Sequence, residues 1–425
     1  MPKLIERKTT NSVTIEDYKK FSKSIYTSVK KLGKKLKGKT VIHINATPVG
    51  GGVAELLSSQ IGLERSLGID SRWFYLDAPP NFFTTTKKIH NLLQGMPGRL
   101  FYHEQDTYQS TNEELAKSLI ALSSKVKPDI IVVHDAQPLT LVKTKLETVS
   151  YISRLHVDLS EANPWIIKYI NPYLSLYSQI IVSSKNFSAS LPKKIQKNVK
   201  VVMPAIDPMT QKNKSMDNRQ AKRIITDLGI DPLRPIVTQV SRFDPWKDPI
   251  GVVEAYYMAK EEIPDLQLVL SGIINAKDDP QAWSILEKVR KRVNGDPNIF
   301  LFWDIGQLKK HLLDDFINAL YTSSTVIIQK SLKEGFGLTV TEAMWKEKAV
   351  IGGNAQGIHL QIQNNRNGLI VPNTLKAAKA IIQLIKNPKL RNKIGKAAHK
   401  SVGKNFLLPR YILDNLKIYE KTIRS

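Results

Sequence analysis

Short β-branched runs, each followed by a stretch of good helix formers, recur along almost the whole chain and leave it few folds to adopt. Residues 40–45, 71–76, 129–134, 151–156 and 179–183 read as buried strands in the first half. Residues 235–240, 266–272, 299–303, 325–329, 349–353 and 368–372 read so in the second. Helical patterns fall at 15–36, 53–67, 250–262, 316–321, 338–346 and 411–423. Strands alternating with helices require parallel sheets with helical crossovers, so the fold class is α/β. With 425 residues the chain exceeds one ordinary core, and the alternation restarts after a polar, lysine- and asparagine-rich stretch. The expected organisation is a Rossmann-like domain over 1–208, a linker over 209–219, a second Rossmann-like domain over 220–405, and a C-terminal helix within 406–425. Residues 1–14 read as a ragged leader.

In open parallel sheets ligands bind beyond the carboxyl ends of the strands, and the polar residues gather there. Strand 40–45 runs into a triple-glycine turn at Gly50, Gly51 and Gly52, followed by a helix. Strands 129–134 and 151–156 end on His134-Asp135-Ala136-Gln137 and His156-Val157-Asp158. In the second half Arg242 and Lys247 flank a turn after a strand, where the two cations suit a diphosphate. After strand 325–329 comes Glu334-Gly335-Phe336-Gly337-Leu338-Thr339, opening a helix that carries Glu342. A helix N-terminus behind glycines favours phosphate. The two glutamates are too far apart in sequence to be paired by spacing, and suit the holding of sugar hydroxyls.

Composition removes several alternatives. Cysteine is absent, which excludes disulfides, thiolate metal sites and cysteine nucleophiles and suits a cytoplasmic protein. There is no Asp-x-Asp pair and no zinc-type cluster, so no metal is expected at the site. No run approaches the roughly 20 apolar residues that span a bilayer, and Met1 to Thr10 has no apolar core of a secretory signal. With 63 basic against 38 acidic residues the net charge is +25, but the lysines are dispersed rather than gathered into a binding arm. Residues 33–40 satisfy the phosphate-loop pattern Gly-x4-Gly-Lys-Thr, yet a helix precedes and a strand follows, the reverse of what that loop needs.

The stretch from Glu334 to Glu342 resembles the signature of retaining nucleotide-sugar glycosyltransferases with two Rossmann-like domains facing each other across a deep cleft, the GT-B fold. Residues 47–55, 133–138, 156–160, 239–247 and 334–345 together resemble one subfamily, the trehalose glycosyltransferring synthases of the retaining family 4 glycosyltransferases, close to the trehalose phosphorylases. The resemblance implies that the final helix folds back on the first domain. It implies donor contacts from Gly51, Gly52, Arg242, Lys247, Glu334, Gly335, Phe336, Gly337, Leu338, Thr339 and Glu342, with Glu334 at the glucose hydroxyls and Glu342 at the ribose. It implies acceptor contacts from Asn45, Asp135, Gln137, His156 and Asp158, and catalytic roles for His156, Arg242, Lys247 and Glu334. The reaction implied is NDP-glucose (UDP- or ADP-glucose) plus glucose giving α,α-trehalose plus NDP, with no cofactor and same-face attack in which the leaving phosphate oxygen takes the acceptor proton. Its partners would be NDP-glucose, glucose and trehalose, with no membrane and no specific nucleic acid; a homodimer is carried as an option.

Two positions depart from the family pattern. Asp248 replaces a glycine after Lys247 and sets a negative charge beside the expected phosphate site, and Gln356 replaces the first glycine of a Gly-Gly pair. The neighbouring alternatives are a trehalose phosphorylase, using phosphate in place of the nucleotide, and a related glucosyltransferase with another acceptor. The distant one, prompted by the charge, is nucleic-acid binding, which would show steep salt dependence.

Overall fold

The computed structural model describes residues 1–9, 13–274 and 281–424. Contacts divide the chain into two units. One holds Met1–Ala205 and the segment from Leu408 on, and the other holds the described residues between Ile206 and Leu407.

The first unit is built on a seven-stranded sheet: β1 (Lys3–Glu6), β2 (Thr40–Asn45), β3 (Asp70–Asp77), β4 (Ile130–His134), β5 (Ser150–Arg154), β6 (Gln179–Val182) and β7 (Val199–Val201), in the order β1-β3-β2-β4-β5-β6-β7. All neighbours are parallel except β1, which pairs antiparallel with β3. The segment expected to be a ragged leader thus begins with an edge strand. It is held by the ladder and by Arg72, whose guanidinium grips the Glu6 carboxylate at 2.8 and 2.6 Å; residues 10–12 lie outside the described set. The helix expected over 15–36 is split. Thr14 and Asp17 cap a short turn at Ile15–Tyr18, and Ser22, in extended conformation, caps a new helix at Lys23–Leu36.

The C-terminal helix Leu408–Arg424 belongs to this first unit and packs on the helices Lys23–Leu36 and Gly51–Ser66. Tyr411, Ile412, Leu416 and Tyr419 are buried, and burying side chains of this size contributes about 1.5–3 kcal/mol each. Polar groups on the same face are matched: the Tyr411 hydroxyl donates to Gln60 Oε1 at 3.1 Å, and Lys35 pairs with Glu420 at 2.7 Å.

The second unit carries β8 (Ile236–Val240), β9 (Gln267–Ser271), β10 (Ile299–Phe302), β11 (Val326–Gln329), β12 (Val350–Gly353) and β13 (Leu369–Val371), all parallel, in the order β10-β9-β8-β11-β12-β13. Its core joins strand residues such as Val237, Leu268 and Ile351 to helix residues such as Val252, Leu286 and Ile381. Residues 209–219, read as linker, pack within this unit. Asn318 donates to the carbonyls of Gln211 and Lys214 at 2.7 and 3.0 Å, and Asn213 is buried. A polar sequence is therefore compatible with close packing here, because hydrogen bonds rather than apolar contact hold it. Among the described residues no helix is long and apolar enough to cross a membrane.

Candidate active site

Each sheet has one place where the strand order reverses direction, the position at which open parallel sheets bind ligands. In the second unit that place lies between β8 and β11. The loop after β8 carries Arg242 and Lys247. Buried Asp244 shapes it by accepting from the Trp246 amide at 2.9 Å, which makes the turn Pro245–Lys247, and it lies 3.9 Å from the Arg242 guanidinium. The loop after β11 carries Glu334, and the Leu332 amide donates to the Trp246 carbonyl at 2.8 Å, tying the two loops together. Across this tie the Lys247 ammonium bonds Glu334 Oε2, and Ser331 donates to the same oxygen at 3.2 Å. Three of the residues expected at the donor site, Arg242, Lys247 and Glu334, are thus brought to one crevice.

Gly335 and Phe336 are buried, while Gly337, Leu338 and Thr339 keep partial exposure at the start of the helix Leu338–Trp345. Gly337 has φ +86° and no side chain to cap the helix, so a β-carbon there would be strained and would lie 3.2 Å from the Glu334 carboxyl carbon. Gly357 lies against the Glu334 carbonyl, which a β-carbon would meet at 2.4 Å. Sequence reasoning missed Gln361, which is buried and reaches back to the carbonyls of Phe336 and Gly337 while its oxygen accepts from Thr341 at 2.5 Å.

Two features differ from the sequence reading. Asp248 does not stand as an open charge beside the cations: it accepts from the Gly251 amide at 3.0 Å, capping the helix Pro249–Lys260, and pairs with Lys330. Glu342 is fully buried, with one oxygen on Lys212 at 2.6 Å and the other accepting from Tyr321 at 2.9 Å. Both of its oxygens are engaged by protein groups. Gln356 is exposed.

In the first unit the reversal lies between β2 and β4. Gly50 and Gly51, both at φ +78°, turn β2 directly into the helix Gly51–Ser66, two residues earlier than the sequence pattern suggests. No atom lies within 4 Å of where a Gly51 β-carbon would be, so the exposed turn has open space before it. Asn45 is buried in holding that turn: it accepts from Trp73 at 2.6 Å and donates to the Thr47 carbonyl at 2.8 Å. Asp135, at φ +61°, accepts from the His156 amide at 2.7 Å and so fixes the loop after β5. Gln137 is half-buried, and its carbonyl accepts from Asn112 at 3.2 Å. Asp158 is buried and caps Ser160, leaving its Oδ2 without a partner among the described residues.

His156 does not stand alone. Side chains two apart on a strand share a face, and the register of β2, β4 and β5 puts His43, His134 and Arg154 on the same face of the sheet. His43 Nδ1 lies 3.1 Å from His134 Nε2, and His134 Nδ1 lies 3.0 Å from His156 Nε2. At the inner end His43 Nε2 meets Glu64 Oε2 at 3.3 Å. Glu64 is fully buried and accepts also from Ser71 at 2.5 Å, Gln60 at 2.8 Å and Tyr419 at 3.3 Å. Burial opposes its charge, but His43, Ser71 and Gln60 hold its carboxyl below the usual range. Burial, with Arg154 nearby, pushes His134 and His156 well below the usual histidine range, so both are neutral. Sequence reasoning saw the two strand-end histidines but missed His43 and Glu64; the signal was a histidine inside the apolar run of β2. Among the described residues no group of three or more acidic or histidine side chains is arranged to hold a metal ion.

Comparison with known proteins bears on the family and the fold. Residues 43–189 match the family described as "Trehalose synthase, N-terminal domain", and residues 220–401 match "Glycosyl transferases group 1". The chain is 36% identical over 401 residues to a trehalose synthase of Pyrococcus horikoshii, covering 94% of each. It is 35% identical to one of Rubrobacter xylanophilus, covering 99% of this chain and 100% of that protein. Among solved structures, sucrose-phosphate synthase of Thermosynechococcus elongatus superposes with a TM-score of 0.70 at 17% identity, covering 90% and 98% of the two chains. Two Rossmann-like units together with these matches make the chain a glycosyltransferase of the GT-B class, an enzyme that transfers hexose. Within that class the chain belongs to the trehalose synthase family.

Proposed function

We propose that this enzyme transfers glucose from an NDP-glucose to free glucose, with retention, to make α,α-trehalose. The observation that carries the reading is the junction of Lys247, Glu334 and Arg242 at the β8–β11 crevice, beside an uncapped helix start. A donor of this class presents a diphosphate next to a sugar, and the crevice offers cations and helix amides for the first and a carboxylate acceptor for the second. As the leaving diphosphate gains charge, Arg242, Lys247 and the amides of Leu338 and Thr339 would stabilise it without a metal. His156, neutral at the end of its hydrogen-bonded row, would meet a sugar hydroxyl. The family supports the trehalose product; the nucleotide is UDP or ADP on the same reading.

The test is product identification. Purified protein is incubated with glucose and each common NDP-glucose, and trehalose with NDP is run in reverse. Trehalose appearing in an NDP-glucose reaction supports the proposal. Cleavage of trehalose by inorganic phosphate without any nucleotide would replace it with the phosphorylase reading, and a different glucoside would overturn the acceptor assignment.

A further inference from the structure

Hydrogen-bonded imidazoles in series cannot choose their tautomers independently, because each contact needs one N–H and one lone pair. The row here has a fixed inner end. Glu64 accepts from Ser71 and Gln60, so the nitrogen facing it, His43 Nε2, carries a proton. With the His43 proton at that Nε2, its Nδ1 accepts from His134 Nε2–H, and His134 Nδ1 then accepts from His156 Nε2–H. His156 is left with an unprotonated Nδ1, and among the described residues nothing hydrogen-bonds that atom. His43 and His134 are fully buried, whereas His156 keeps some exposure.

We propose that Glu64, His43 and His134 are positioning residues that present His156 as an Nδ1 acceptor and carry any proton taken up there inward to His43. The transfer balances without a co-reactant. A proton arriving at His156 Nδ1 releases Nε2–H to His134 Nδ1. His134 releases its Nε2–H to His43 Nδ1, and His43 becomes an imidazolium against the Glu64 carboxylate. His156 thereby changes from acceptor to donor while remaining neutral.

The surrounding charges favour this direction. Glu64, from the helix Gly51–Ser66, sits at the inner end. Arg154 of β5, whose guanidinium donates to the Val202 carbonyl at 2.7 Å, opposes a cation at His134 and His156. Asp135 after β4, and Tyr411, Asp414 and Tyr419 of the C-terminal helix, act on Arg154, and Asp135 also accepts from the His156 backbone amide. Tyr419 also reaches Glu64. The row can therefore hold one extra proton, at the carboxylate end.

The proposal rests on the glucosyl-transfer reading only for its use, since the chain of tautomers exists in the protein without substrate. The test is a long-range proton–nitrogen spectrum of protein labelled with ¹⁵N in its eight histidines, recorded from pH 8 downward and assigned with single His→Gln variants. His134 and His156 are expected as pure Nε2–H tautomers that convert together to Nδ1–H when the row takes up a proton. In Glu64→Gln both should become tautomer mixtures, kcat should fall about tenfold or more as for other lost tautomer-fixing carboxylates, and donor KM should change less than about twofold. A His156 that becomes an imidazolium by itself, or an Nδ1–H tautomer at pH 8, overturns the proposal. If Glu64→Gln does not fold, the wild-type titration alone decides. If the tautomers behave as stated but no trehalose forms from any donor, the functional reading fails and the relay stands.

Discussion

The pairing of Lys247 with Glu334 has a consequence for nucleotide affinity that can be measured directly. Under the proposed function both groups serve the donor, one at its phosphates and one at its sugar, yet they hold each other. Their side chains are only 18% and 9% exposed, so the attraction is not lost to solvent. Two unit charges at 4 Å gain about 4 kcal/mol at an effective dielectric constant near 20. Desolvation and the second contact from Ser331 reduce the net value to about 1 kcal/mol, between surface and buried pairs. A diphosphate that approaches Lys247 must share it with Glu334, and the two anions repel. Glu334→Gln should therefore tighten binding of free NDP about fivefold, since about 1.4 kcal/mol is a factor of ten. The same change should lower kcat about 100-fold by removing a charged acceptor for the sugar hydroxyls. Calorimetric titration with UDP and ADP reads the first effect and steady-state kinetics the second. Lys247→Ala should weaken NDP, and in that background Glu334→Gln should give no further gain. Unchanged or weaker NDP binding in Glu334→Gln, or a gain that persists without Lys247, would refute the reasoning.

Three further outcomes follow from other parts of the chain. Arg242→Ala should reduce kcat/KM about 100-fold with the fold intact, the scale for one lost charge-stabilising donor, and EDTA should leave the wild-type rate unchanged; activity lost to EDTA and restored by magnesium would contradict this. Lys39→Ala should leave donor KM and kcat unaltered, because Lys39 lies between a helix and β2, paired with Asp129 at 2.8 Å; a loss matching that of Lys247→Ala would place the phosphate site elsewhere. His134 and His156 have folded pKa values below the usual 6.5, so the unfolded chain binds more protons and stability is lost as pH falls through 6.5, by up to about 1.4 kcal/mol per pH unit for each histidine. Urea midpoints at pH 7.5 and 5.5 should differ accordingly and differ less in His134→Gln. A flat midpoint would mean that these groups are not buried neutral. Glu64, with its pKa depressed, adds its own loss only below about 4.5.

The strands were legible because each is a short apolar run, and burial from both faces forces that composition on a parallel sheet. Several helices were not. Tyr102–Val126 buries Tyr108, Thr111, Asn112, Leu115, Leu119 and Ser123, a face with helical spacing but with polar residues at half its positions, so periodicity of hydrophobic residues barely registers. The break at Ser22 was hidden for the opposite reason: Tyr18, Phe21, Ile25 and Val29 continue the apolar spacing across it, and only the cap marks the new start. β1 offers four residues and pairs with a strand some seventy positions later, and a partner that remote leaves no local trace.

The same distinction runs through the site. Which residues bear charge near a strand end could be read from the sequence, because the sheet alone puts strand ends together. Which charges neutralise one another could not, since Lys247 meets Glu334 across 87 positions and Lys330 meets Asp248 across 82. Asp248 looked like an intruding negative charge only while Lys330 was out of view. Seen together, Arg242, Lys247 and Lys330 face Asp244, Asp248 and Glu334, three cations against three carboxylates. The crevice is then no open positive hole waiting for phosphate. Its cations are held in place by carboxylates, which keeps long side chains ordered before a ligand arrives, and under the proposed function a diphosphate would bind by competing for them with help from the helix amides of Leu338 and Thr339. Selectivity for a donor that carries a sugar beside its phosphates would follow under that function: the carboxylate that gives up part of its hold on Lys247 regains hydrogen bonds only if hydroxyls are there to supply them. Inorganic phosphate brings the competing charge without that return.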